Sequence, residues 1–173
     1  MVFLILLVAC SPSPKVIWPT ISQTQIASQS VQSEANNEDL CEWFNKSLLI
    51  RNERIPAILK VQAVRDKYNN VKFSFDNHDM VEEYINATED YLEANNNFIR
   101  AWNELREHPL AKEYWENELK AVQTWSDGYA LSLRGFIEHN ARFVQQGAKI
   151  FESGKEYSDV AEAKMVELRE GCK

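Results

Sequence analysis

The chain has 173 residues, 45% of them apolar and 26% charged, and a net charge of −7. That acidic balance excludes a nucleic-acid binder, because neutralising phosphates takes a basic surface. Five glycines and five prolines, three of the prolines before residue 20, leave room for long helices, so the expected fold class is all-α.

An unbroken apolar run fills residues 1–9 and ends in Leu7-Val8-Ala9-Cys10. This ending resembles the lipobox of bacterial lipoproteins, in which small residues precede a cysteine that takes a diacylglyceryl group on its sulfur. The resemblance covers residues 1–10 only and implies a signal peptide over 1–9, with lipidation at Cys10 as the new N-terminus. It also implies a lipid-anchored protein on the extracytoplasmic face of a cell membrane or outer membrane. No other stretch approaches the eighteen or so apolar residues that a spanning helix needs.

Residues 10–36 are expected to form the lipidated cysteine and a disordered linker. Pro12, Pro14 and Pro19 lie among Ser, Gln and Thr with almost no charge, and nothing recurs at helical or strand spacing. A flexible tether of this length has an average reach of about 25–30 Å.

Residues 37–173 are expected to form one antiparallel up-and-down helical bundle of three to four long helices. The first opens on an Asn36-Asn37 cap followed by Glu38 and Asp39. Its inward face is read as Leu40, Trp43, Phe44, Ser47 and Leu48, continuing through Ile55, Ile58, Leu59 and Gln62. Pro56 removes a helical hydrogen bond and crowds the preceding turn, so a kink or break is expected near Asn52–Ile55. Val71–Phe75 alternates like a strand but has no second strand to pair with, and is read as an extended connection.

The second helix carries the clearest period: Val81, Tyr84, Thr88, Tyr91, Asn95, Phe98, Trp102 and Leu105. Pro109 marks its end. A third segment keeps one phase from Trp115 through Ser126, Phe136 and Asn140 to Ile150, although Ser126-Asp127-Gly128 looks like a stop followed by a new cap. The phase favours one continuous helix. A last short helix is expected after the capping box Ser153-Gly154-Lys155-Glu156.

Cys41 and Cys172 lie near the two ends of this domain, and in an extracytoplasmic compartment they are candidates for a disulfide. A continuous third helix competes with that bridge, because a short final helix would stop far from Cys41. A reversal at Asp127-Gly128, or a large bend at Pro56, would bring the two together.

No metal or cofactor site is expected. The three histidines lack the Glu-x-x-His spacing of di-iron bundles, and there is no Cys-x-x-Cys-His or His-Glu-x-x-His. No catalytic residues are assigned. Asn95 and Asn140 both occupy inward heptad positions, where a polar residue fixes register or lines a cavity. Trp125 sits beside the apolar stripe as the best candidate for an exposed contact. The functional expectation is a membrane-anchored, non-catalytic binding or scaffolding module whose partner is another envelope protein. The alternative is a small-ligand pocket near Asn95, Asn140 and the Tyr/Trp cluster.

Overall fold

The computed structural model describes residues 34–173. The expected signal peptide over 1–9, Cys10 and the expected linker up to residue 33 lie outside the described residues. Five helices follow in order, α1 (Glu34–Asn52), α2 (Ile55–Lys67), α3 (His78–Leu105), α4 (Lys112–Ile137) and α5 (Ala141–Gly171), with a single 3₁₀ turn at Pro109–Ala111. There is no strand among the described residues, and no helix among them is long and apolar enough to cross a membrane. The kinked α1–α2 unit, α3, α4 and α5 form an antiparallel four-membered bundle. α3 packs on α4, α4 on α5, and α5 returns to α1.

Helix α1 spans Glu34–Asn52, so the cap expected at Asn36-Asn37 falls inside the helix. The break falls at Glu53-Arg54, with Pro56 in the first turn of α2 where its missing N–H costs nothing. This break changes which residues face inward. Leu40, Trp43, Phe44 and Ser47 of α1 are buried, but Ile55, Ile58, Leu59 and Gln62, expected on the same face, are exposed. On α2 the inward residue is Val61, which packs with Val64 against Ala87 and Tyr91 of α3. A 3-4 stripe read straight through a proline assumes a helical phase that the break does not conserve.

The link 71–77 is extended or turned, as its isolation from any second strand implies. It closes one end of the bundle with aromatic rings. Phe73 lies 5.7 Å from Phe136, and Phe75 stacks on His139 at 5.2 Å between centroids. Asn77 then caps α3 by accepting from the Met80 N–H at 3.2 Å. Helix α3 buries Val81, Thr88, Tyr91, Asn95, Phe98 and Trp102 in the expected period. Trp102 and Trp115 staple α3 to α4 reciprocally, each indole N–H donating to the other's carbonyl at 3.1 and 3.3 Å.

Helix α4 runs unbroken through Ser126-Asp127-Gly128. The chain instead reverses at Glu138–Asn140, within the segment read as continuous to Ile150. His139 adopts φ 52°, a left-handed conformation that tight reversals require, and the Asn140 side chain accepts from Arg142 N–H to cap α5. The inward phase survives the reversal because both arms of the hairpin face each other. The expected capping box at Ser153–Glu156 does not form. Those residues lie inside α5, and the Ser153 hydroxyl donates back to Ile150 O at 2.6 Å.

The reversal point settles where Cys172 arrives. Helix α5 has 31 residues against 26 in α4, so it returns about 46 Å after an outward run of about 39 Å. Cys172 thereby meets Cys41, and the two are disulfide-bonded with Cα atoms 5.4 Å apart.

The α4–α5 contact depends on small residues seven apart: Ala121, Gly128 and Gly135 on α4, and Gly147, Gly154 and Ala161 on α5, all buried. A Cβ on Gly128 would lie 2.7 Å from both the Gly147 carbonyl oxygen and the Phe151 nitrogen. One on Gly135 would meet the Val144 nitrogen at 2.7 Å. Backbones therefore touch where side chains would otherwise separate them.

Candidate functional site

Two apolar clusters fill the bundle. One, at the disulfide end, contains Trp43, Phe44, Phe98, Trp102 and Tyr114. The other contains Val61, Ala87 and Tyr91. Asn95 lies between Tyr91 and Phe98 on α3, and around it sits a buried ionic layer.

Arg54 occupies the α1–α2 break and is only 2% exposed. Its Nε donates to Asn95 Oδ1 at 2.9 Å, and its Nη1 approaches Glu118 Oε1 at 3.5 Å. The guanidinium carbon stands 4.8 Å from the Phe98 ring centroid and 5.7 Å from that of Trp125. Glu118 of α4, also 2% exposed, takes a second and shorter bond from Arg51 Nε at 3.1 Å. Arg51 in turn reaches Met165 Sδ at 3.0 Å and Glu162 at 3.6 Å on α5. Asn95 Nδ2 donates to Ser126 Oγ at 3.0 Å, and that hydroxyl donates to Val122 O. Glu118 and Asn95 thus connect the α1–α2 break to α4 and α3, and Arg51 extends the network to α5.

Burial pulls the Arg54 pKa below its ordinary value, opposed by Tyr91 and Glu118. Burial also acts on Arg51, but Glu118, Tyr114 and Glu162 outweigh it and the net direction is upward. Guanidinium groups keep their proton throughout the usable pH range, so both arginines stay charged. Burial pushes the Tyr114 phenol up to about 12, with Glu118 adding to the effect, and does the same to Tyr129. Arg54 Nη2 and Tyr114 Oη are buried without a hydrogen-bond partner among the described residues. A layer of this kind acts as a clamp, because removing one charge leaves the others desolvated and uncompensated.

The three residues singled out in the sequence for binding do not converge. Asn95 is fully buried in the ionic layer. Asn140 caps α5, beyond the end of α4, and the helix alone separates it from the level of Ser126 by roughly 17 Å. Trp125, expected as an exposed contact, is half-buried. It stacks on Phe151 at 5.9 Å, faces Arg54 and closes against Gly154. Its place beside the stripe is what lets it cover the guanidinium. Two surface depressions, of about 280 and 300 Å³, include none of these three residues.

The histidines mark boundaries: His78 begins α3, His108 Nδ1 accepts from the Leu110 N–H, and His139 forms the reversal. No group of three His, Cys, Asp or Glu among the described residues is placed to hold a metal. Sequence reading missed Arg51, Arg54 and Glu118. Glu118 had a legible signal, since it lies four before Val122 and seven before Trp125, an acid in phase with an apolar stripe. Arg54 carried only its position two before Pro56.

No protein-family model matches the chain, and no curated protein or solved structure shows detectable similarity to it.

Proposed function

We propose that this protein is an extracytoplasmic lipoprotein, anchored through Cys10, whose bundle is a non-catalytic binding or scaffolding module for another envelope protein. The observation that carries the reading is the pairing of Cys41 with Cys172. It accounts for two of the chain's three cysteines and leaves Cys10 outside that pair. A disulfide between the two ends of a domain also suits an oxidising compartment.

The scaffolding part of the reading is supported by how the polar interior is used. Arg51, Arg54, Glu118, Asn95 and Ser126 turn towards one another. Asn140 is spent on a cap. The chemistry so arranged holds helices in register.

Intact-mass measurement of the membrane-extracted protein, with and without reduction, tests the proposal. The expected mass is that of a chain beginning at Cys10 and carrying acyl groups, with two hydrogens gained on reduction. An unmodified chain retaining Met1 would sink it.

A further inference from the structure

Nine large apolar side chains are exposed among the described residues, and five of them fall within residues 49–71: Leu49, Ile55, Ile58, Leu59 and Val71. Three of these form one stripe on α2, with Ile55 45%, Ile58 37% and Leu59 57% exposed. Ile55 and Leu59 point away from the inward residues Val61 and Val64, and Ile58 borders Val61 one turn before it, so the apolar surface of α2 extends well beyond the face that is covered. A helix apolar on both sides is one that some further surface covers.

The charge around the stripe narrows what that surface is. Residues 55–72 carry Lys60, Arg65, Lys67 and Lys72 against the single acid Asp66, a local excess of cations on a chain of net −7. Lys60 pairs with Asp90 and Lys67 with Glu83, both on α3, which braces the helix against the bundle. Arg65 and Lys72 form no ion pair among the described residues. The three stripe residues offer on the order of 300 Å² of surface, well short of the ~800 Å² that each partner contributes to a stable protein interface. A narrow apolar line edged by cations matches instead a helix lying in a lipid headgroup region.

We infer that the outer face of α2 rests on an anionic lipid surface, with Ile55, Ile58 and Leu59 entering the interface and Arg65 and Lys72 meeting the headgroups. The inference rests on the membrane-anchored reading above, which supplies the bilayer. The chain length permits it. Cys10 precedes Glu34 by 24 residues, which can extend up to about 80 Å. Helix α1 measures about 28 Å at the helical rise, so the start of α2 reaches the surface in which Cys10 would be anchored. The local charge runs counter to that of the whole chain, whose net charge of −7 by itself gives no attraction to anionic lipid.

The full-length chain carrying C10S, which lacks the acylated sulfur, is floated with phosphatidylcholine vesicles, alone or with about one third phosphatidylglycerol. The expected result is flotation with the anionic vesicles, weakened by salt and by R65E/K72E. I55Q/L59Q lowers the bound fraction about tenfold or more. L110Q, which changes an exposed leucine elsewhere, leaves it unchanged, and unaltered far-UV circular dichroism verifies folding of each variant. Absence of flotation with either vesicle, or flotation indifferent to I55Q/L59Q, overturns the inference. So does sedimentation showing a dimer that I55Q/L59Q dissociates, which assigns the stripe to a second copy. Failure of the lipoprotein reading registers separately, in the mass of the wild-type protein.

Discussion

Glu118 receives hydrogen bonds from two arginines while almost wholly buried, and so the stability of the ionic layer is concentrated in one carboxylate. E118A leaves Arg54 and Arg51 without that compensation, and breaking a buried pair from one side costs about 3–5 kcal/mol. Urea unfolding should show that loss, with E118Q retaining part of the stability because its amide oxygen still accepts. The buried phenols make a second prediction. Tyr114 and Tyr129 have folded pKa values near 12 against about 10 for a free tyrosine. Between those values the unfolded chain loses protons that the folded chain keeps. Their contribution is therefore fully present below pH 10 and is lost as the pH rises towards 12. The slope is on the order of 1.4 kcal/mol per pH unit for each tyrosine. Denaturation midpoints should fall between pH 9 and 11.5, and the phenolate absorbance of these two rings should lag behind that of exposed tyrosines until the chain unfolds.

At the scale of elements, the hairpin of α4 and α5 depends on glycine where α-helices ordinarily disfavour it. Alanine at a helix interior is intrinsically better by about 1 kcal/mol, but at Gly128 its Cβ would lie 2.7 Å from the backbone of α5. The clash wins. G128A should lower the melting temperature, by an overpacking cost of about 1–3 kcal/mol. G171A, with nothing within 4 Å of its Cβ, should be neutral or slightly stabilising. Sequence periodicity located α3 and the break before Pro56 well, because a long single phase and a proline both act locally. The direction in which Ile55, Ile58 and Leu59 point was not legible, since the rotation at a break depends on what α2 packs against. The reversal at Glu138–Asn140 was masked for a related reason. Asn140 satisfied the inward heptad and the helix cap equally well, and only the return of α5 to Cys41 separates the two roles. Ser153–Glu156 had the composition of a cap and lost to tertiary packing of Gly154 against Trp125. In the ionic layer, Asn95 was legible from its phase. Its partners were not, because Arg54 belongs to no periodic face.

The whole molecule is closed by a bond across 131 residues of sequence. In the chain-entropy model a loop that long contributes about 5 kcal/mol. Thermal melts of the C41S/C172S variant, or of the wild type under reductant, should show a loss of that order. The loss should be accompanied by faster amide exchange in α1, which is otherwise held by packing on α3 and α5.

The same bond determines how the domain would carry a mechanical load. A pull entering through Glu34 and resisted at Lys173 passes along the first turns of α1 to Cys41, then crosses the sulfur atoms directly to Cys172. Residues 42–171 lie outside that path and feel no tension, however hard the ends are drawn apart. The bundle can therefore stay folded under forces that would unravel an uncrosslinked four-helix domain. A protease cut anywhere between the two cysteines would still leave one covalent piece.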